Sequence, residues 1–377
     1  MRAKVTFVTS IVTHYRERFH NSVREILDSN NVDYNLIYSY PSNDEAKKSD
    51  TVNIEWAKPV KLVYFGRKGK VFWQRALSQI WRSDLVVIGQ ENRFLLNYFL
   101  QLIPARLRPK VALWGHGRNF KARDPQSRAE RWKAWWATRA EWWFAYTDET
   151  SRHIQSLGFP IERITVFNNS IDVSEIAEQV KTIKENNLYK AKIKLGVKGK
   201  FVGVFVGGIY PDKRISFLVE SADRIRLRIP DFELIVVGGG SDLPTIHELS
   251  SVRPWMHVMG PLFGRDKVEL MMLGHVYMMP GLIGLGILDA GVVGLPVATT
   301  AFPWHSPEIA YLEPGRNGIM VSDWENPDAY ANAVADLLLD PVRQKMMSEA
   351  ARAMANKYSI EAMAQNFAKG VLKALSA

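Results

Sequence analysis

Short runs of apolar residues alternate with longer amphipathic stretches along the first half of the chain. KVTFVTS, YNLIYSY, DLVVIG, KVALWG, WWFAYT and ITVFNN are rich in β-branched and aromatic residues, and their length predicts strands. Between them, segments near 15–29, 71–82, 92–103, 127–139 and 148–157 read as helices. Strands alternating with helices predict right-handed βαβ units and a parallel sheet covered on both faces. The rhythm breaks at 173–200, a polar, Lys-rich amphipathic stretch ending in GVKGK, which reads as a domain junction. It then restarts with FVGVFVGG, FELIVVGG, MHVMG, HVYMMP, LPVATT and GIMV as strands. Helical segments close the chain over 327–339, 341–356 and 360–375. The predicted fold class is α/β, with two doubly wound Rossmann-like domains facing across a cleft. The expected boundaries are 1–172 for an N-terminal domain, 173–200 for the junction, 201–355 for a second domain and 356–377 for a C-terminal helix.

Length agrees, since 377 residues are too many for one ordinary core. Cysteine is absent, which excludes disulfides and thiolate metal sites. The opening MRAKVTFVTSIVTHYRERF has a short apolar run and no small-residue cleavage site, so it predicts a first strand and not a leader. No stretch has the ~20 apolar residues a spanning helix needs, and a cytoplasmic protein is expected.

The net charge of +10 is one-sided. Residues 1–172 hold 27 Lys and Arg against 17 Asp and Glu, whereas residues 173–377 hold 22 of each. Two readings fit: a solubilising surface, or an anionic partner for the first half such as lipid, phosphate or nucleic acid. No nucleic-acid recognition motif accompanies the charge.

The candidate chemistry lies in glycines. Gly207-Gly208, Gly238-Gly239-Gly240 and Gly281/Gly284/Gly286 each follow a predicted strand of the second domain. Glycine there lets backbone N–H groups approach a ligand, and a helix N-terminus favours an anion. Tight βα turns also want glycine, yet three on one face point to a phosphate-bearing ligand. No GxxxxGK[ST] and no GxGxxG after the first strand is present, which argues against a P-loop enzyme and a dinucleotide oxidoreductase. No Asp-x-Asp is present either, so a bound diphosphate must be neutralised by fixed cations and amides, with no metal. "GGIYPDKRISFLVESA" offers Lys213 and Arg214 at a helix start, either as phosphate ligands or as a solvated pair.

Together, "GGIYPDKR", "LIVVGGGSD", "PGLIGLGILDAGVVGLPVATT" and "SPEIAYLEPGRNGIMV" give residues 200 to 321 a pattern that resembles the nucleotide-sugar domain of glycosyltransferase family 4, a GT-B family. "THYR" after strand one and "LWGHG" in mid-domain resemble it more loosely. The C-terminal helix fits as well, since chains of this fold often cross back to the first domain at their end. Family members carry Glu-x7-Glu around a Gly-Phe-Gly-type turn. Here Gly281 stands at the first glutamate and Asp289 at the second, where the resemblance implies contact with ribose hydroxyls. The turn Gly284-Leu285 would face the diphosphate. Gly281 is expected to leave open space beside the sugar, filled by sugar or water. Lys213 matches the family's phosphate lysine, Gly208 stands where its arginine usually is, and Arg214 is expected to compensate.

In the first domain, His116 sits between Gly115 and Gly117 after a predicted strand, where the family uses a histidine near donor sugar and phosphate. The flanking glycines are expected to leave it free to meet a ligand. His14, Tyr15 and Arg16 either line the acceptor side or simply start a helix. Trp132, Trp135 and Trp136 share one helical face amid Arg128, Arg131, Lys133 and Arg139. That stripe either packs on the sheet or meets a membrane headgroup layer.

The resemblance implies a retaining, metal-independent glycosyltransferase of hexosyltransferase type. It would move a sugar from a nucleotide-diphosphate donor to a lipid-linked or polysaccharide acceptor in cell-surface polysaccharide biosynthesis. The nucleotide sugar is a substrate, no cofactor is expected, and the place of work is the inner face of the membrane. The alternatives are an epimerase of the same architecture, or a nucleotide-sugar-binding scaffold favoured by the missing first glutamate.

Overall fold

The computed structural model describes residues 2–40, 51–66, 71–120 and 122–377. The chain divides into two compact units, Met1–Asp172 with Ser359–Ala377, and Val173–Tyr358.

Unit 1 carries strands β1 (Ala3–Val8), β2 (Val32–Tyr38), β3 (Lys58–Pro59), β4 (Leu62–Phe65), β5 (Val71–Gln74), β6 (Leu85–Gly89), β7 (Lys110–Gly115), β8 (Trp142–Ala145) and β9 (Ile164–Val166). Seven of them form a parallel sheet in the order β3-β2-β1-β6-β7-β8-β9. The apolar runs are continuous because both faces are covered: Leu85 and Val87 enter one core, Val86 and Ile88 the other. β4 and β5 pair antiparallel, Leu62 opposite Gln74. This corrects the helix expected over 71–82, where Val71–Gln74 is a strand and only Leu77–Ile80 is helical. β-branched and aromatic VFWQ finds a strand partner, which helical spacing alone does not reveal.

The end of the chain completes this unit. Helix Ile360–Ser376 starts at Ser359, whose side chain accepts from the Ala362 amide. It packs against helix His14–Ser29, β8 and β9. Phe367 is fully buried, its ring 4.4 Å from Phe144 and 5.3 Å from Phe19. A Cβ on Gly370 would stand 2.5 Å from Thr165 Oγ1, so glycine permits the close approach.

Unit 2 carries β10 (Phe201–Val206), β11 (Phe232–Val237), β12 (Met256–Val258), β13 (Val276–Met278), β14 (Val297–Thr300) and β15 (Gly318–Val321), all parallel in the order β12-β11-β10-β13-β14-β15. The run expected as a junction is two helices, Ser174–Thr182 and Glu185–Leu195, and it belongs to this unit. Both pack on helix Gly264–Met272. Strand order reverses between β10 and β13, and in unit 1 between β1 and β6. Ligands of doubly wound sheets bind outside the carboxyl ends of strands at such a reversal.

Truncating Phe367 should therefore loosen unit 1. Phe367→Ala is expected to cost ~3–5 kcal/mol of unfolding free energy, as aromatic-to-alanine changes in cores do. Urea titration checks this; a loss under ~1 kcal/mol would mean that the C-terminal helix adds little to the fold.

Candidate functional site in unit 2

The loops after β10 and β13 meet at the reversal point. Gly207 follows β10, and a Cβ on Gly238 after β11 would lie 1.8 Å from the Gly207 carbonyl oxygen. The Ile209 amide donates to the Gly239 carbonyl at 2.8 Å, which ties the two glycine loops together. Gly208 faces the Tyr210 ring, 2.8 Å from the position of an added Cβ. The glycines thus serve loop-to-loop packing as well as any ligand.

The bare turn after β13 has a definite occupant. A Cβ on Gly281 would lie 2.2 Å from the Asp212 carbonyl oxygen and 2.7 Å from the Lys213 carbonyl carbon. The space expected to hold sugar or water is filled by the Asp212–Lys213 backbone, so that expectation is corrected. The Leu282 amide donates to the Asp212 carbonyl at 2.8 Å, and Lys213 Nζ donates to the Leu282 carbonyl at 2.5 Å. Gly284 is looser, with only Ser306 at ordinary contact distance from an added Cβ. Leu285 precedes helix Gly286–Val293, where the Ile287 and Leu288 amides already donate to the Gly284 and Leu285 carbonyls at 3.1 and 2.9 Å, so the turn Gly284–Gly286 before them is the part that can face a ligand.

Lys213 and Arg214 are separated by this geometry. Lys213 is buried in the short 3-10 turn Pro211–Lys213, with its ammonium inside the Leu282 turn. Arg214 adopts a left-handed backbone, φ 57° and ψ 49°. Its guanidinium donates to the Trp324 carbonyl and lies over Phe217 at 4.0 Å and Trp324 at 4.8 Å. Burial lowers its pKa. The expected compensation for the missing phosphate arginine is therefore corrected: Arg214 is bound to the protein's own aromatic rings and carbonyl.

Asp289 pairs with Lys267, Nζ to Oδ2 3.1 Å. Burial raises its carboxyl pKa, and the Lys267 charge opposes that rise. Its Oδ1 is buried with no hydrogen-bond partner among the described residues. The Tyr277 hydroxyl donates to the Val206 carbonyl at 2.6 Å, joining β13 to the end of β10, and burial raises its pKa. His305 is buried beneath the bare turn. Its Nδ1 accepts from the Ile283 amide at 3.1 Å and its Nε2 lies 2.8 Å from the Thr300 carbonyl. Lys267, Tyr277 and His305 escaped the sequence reading. The signal for His305 was its place shortly after strand β14, in PWHSPE.

In unit 1, His14 begins helix His14–Ser29 and is exposed, while Tyr15 is half-buried. Arg16 is buried: its guanidinium donates to the Ser170 carbonyl at 2.9 Å and to Asn169 Oδ1, with Met363 Sδ 3.3 Å away. Its expected place on an acceptor surface is corrected, since it clamps the first helix to the loop after β9 and to the C-terminal helix. His116 follows β7 and is half-buried, its ring centroid 4.1 Å from that of Tyr146. A Cβ on Gly117 would meet Ile154 Cδ1 at 2.7 Å, so Gly117 makes room for the protein's own helix and not for a ligand. Trp136 is buried, whereas Trp132 and Trp135 are each 50% exposed, with Arg139 over the Trp135 ring at 3.6 Å. The stripe thus divides between packing and solvent.

Comparison with known proteins bears on this geometry. Residues 200–340 match the family described as Glycosyl transferases group 1. The chain is 27% identical over 187 residues to an alpha-D-kanosaminyltransferase of Streptomyces kanamyceticus, covering 46% of each chain. It is 31% identical over 170 residues to a GDP-mannose-dependent alpha-(1-6)-phosphatidylinositol monomannoside mannosyltransferase of Mycolicibacterium smegmatis, covering 42% of this chain and 44% of that one. The chain thus spans about half the length of the curated relatives it matches. The fold extends over nearly the whole chain: HepE of Anabaena in complex with UDP superposes with a TM-score of 0.73 at 14% identity, covering 98% of this chain and 99% of that one. The lipopolysaccharide outer core galactosyltransferase WaaB gives 0.67 at 14% identity with the same coverage. The architecture is that of the GT-B fold, two Rossmann-like units in one chain.

Placing an acid at position 281 should damage this site. Gly281→Glu must displace the Asp212–Lys213 backbone, and overpacking of this kind costs ~1–3 kcal/mol. Thermal unfolding should fall by several degrees; an unchanged midpoint would show that the two loops separate easily.

Proposed function

We propose that this chain, whose residues 200–340 belong with glycosyl transferases group 1, is a glycosyltransferase that takes a nucleotide-diphosphate sugar as donor. The observation that carries the reading is the reversal-point site of unit 2, where a glycine turn, a helix start and the buried Lys213 ammonium converge at the ends of β10 and β13. Cations and helix-terminal amides stabilise the charge that grows on a departing diphosphate. Asp289 Oδ1, buried without a partner, suits a donor hydroxyl such as that of a ribose. HepE of Anabaena has been solved with UDP-glucose, which supports a donor of this class.

Transfer proceeds with retention and without a metal ion, and the site cations take the metal's place at the diphosphate. His116 donates a hydrogen bond to the donor sugar or its phosphate. The acceptor is a lipid-linked or polysaccharide chain of the cell surface, approached on the side of His14 and Tyr15. Support for a lipid-linked acceptor comes from the phosphatidylinositol mannoside named in one relative's activity. The enzyme works as a peripheral protein on the inner face of the membrane. Among the described residues, no helix is long and apolar enough to cross one. Contact instead uses the basic first unit and the exposed Trp132 and Trp135.

The test is a turnover assay with UDP- and GDP-linked hexoses and a lipid-linked saccharide. Nucleotide diphosphate should be released only when the acceptor is present, equally well in EDTA, and NMR of the product should show the donor's anomeric configuration. Donor binding without turnover would leave a scaffold, and an absolute need for added Mg²⁺ would overturn the metal-free site. His116→Ala should lower kcat ~10²-fold with donor affinity nearly kept, the scale of one lost donor to a developing anion.

Membrane contact has its own check. Co-sedimentation with phosphatidylglycerol-containing vesicles should fall as salt rises and weaken in the W132A/W135A variant. Equal binding to neutral vesicles would refute an electrostatic anchor.

A further inference from the structure

We infer that His305 is a positioning residue that fixes the Pro280–Gly286 turn and thereby sets its amides for the donor diphosphate. The inference rests on the donor site proposed above.

The two peptide planes that flank Ile283 are held by one segment. Its N–H donates to His305 Nδ1 at 3.1 Å, and its C=O accepts from the Ser306 amide at 3.0 Å. Because Nδ1 accepts, the ring proton is on Nε2, which donates to the Thr300 carbonyl at 2.8 Å. Thr300 in turn donates its hydroxyl to the Pro280 carbonyl at 2.7 Å. The imidazole therefore bridges the end of β14 and the turn after β13, and the chain of bonds returns to the residue that opens that turn. His305 and Ile283 are both buried, so water cannot replace the lost partner. Burial also lowers the imidazole pKa to about 4, which keeps the accepting Nδ1 lone pair at neutral pH. The Gly284 N–H shares its peptide plane with the Ile283 C=O, so the Ser306 amide sets its direction, while the neighbouring His305 fixes the plane before it. An imidazole here acts on the donor through the backbone and does not touch it.

Two near-isosteric side chains separate the two bonds. Asparagine places its carbonyl oxygen where Nδ1 lies and can accept from Ile283. Glutamine places its amide nitrogen near Nε2 and keeps only the bond to Thr300. The experiment measures amide hydrogen exchange across 281–288 in the ligand-free protein, and binding of UDP and of GDP, for wild type, H305A, H305N and H305Q. In H305A, exchange at Ile283 and Gly284 should quicken about tenfold or more, and affinity for the nucleotide that the wild type binds should fall by a similar factor, the size of one lost buried hydrogen bond. H305N should restore most of both effects and H305Q little of either. A merely space-filling histidine would be rescued by both or by neither. Unchanged exchange, or faster exchange with unchanged nucleotide affinity, would overturn the inference. If H305A does not fold, the contrast between H305N and H305Q decides. If the wild type binds neither UDP nor GDP, the donor reading fails with its dependent half, while exchange still shows whether His305 holds the turn.

Discussion

The second unit depends on one close approach: the backbone of Asp212 and Lys213 passes where any side chain at position 281 would begin. Everything near the reversal point follows from it. The Leu282 amide can reach the Asp212 carbonyl only because the two loops touch, and the Lys213 ammonium is driven into the turn it would otherwise flank. The two loops at the strand-order reversal are thereby bonded into one block. A rigid block matters for an anion site, since amides that need no rearrangement stabilise developing charge best. Glycine at position 281 is then a structural requirement of this packing.

This constraint also explains which features the sequence made legible. Strand positions were readable because the unit 1 sheet has a core on each face and strands β11, β13 and β14 of unit 2 are buried at every residue, so their apolar runs are continuous. The glycine turns were readable as turns. What filled their space was not, because the occupant of Gly281 lies about 70 residues away in sequence, and only the fold brings it there. The strand Val71–Gln74 was missed for the same reason, since its partner strand gives Val71, Phe72 and Trp73 a place that local spacing does not announce. Arg214 looked like a phosphate ligand beside Lys213, yet its left-handed backbone turns its side chain to Phe217 and Trp324. Adjacent residues share a loop without sharing a direction.

Unit 1 shows the same dependence on distant chain. Ile360, Met363, Ala364, Phe367 and Val371 repeat at helical spacing, so the last helix was plain as a helix with one apolar face. That face is covered by residues from the start of the chain, and Arg16 reaches it with a buried guanidinium that also holds Ser170 and Asn169. A buried cation with all its bonds to the protein specifies one arrangement, because any shift leaves charge desolvated and unpaired. The tryptophan stripe divides by the same logic: Trp136 is buried, with its ring against those of Tyr98 and both neighbouring indoles, while Trp132 and Trp135 keep half their surface.

Charge distribution places a final constraint on the proposed donor site. Unit 2 carries 20 Lys and Arg against 21 Asp and Glu, so the positive excess of the chain resides on unit 1. A diphosphate bound as proposed would therefore meet no net positive field from unit 2, and its recognition would rest on groups within a few ångströms. Those groups are few. Lys267 is already committed to Asp289, and Arg214 to Trp324. Lys213 is likewise bonded to the Leu282 carbonyl, and Ile287 and Leu288 donate to Gly284 and Leu285, which leaves the backbone of the turn Gly284–Gly286 as the local face for an anion. An amide contributes only when it points at the anion, unlike a mobile lysine that can follow its ligand. On the donor reading proposed above, affinity follows the orientation of the Ile283–Gly286 backbone, and the bonds that hold it come from His305, Ser306 and Thr300.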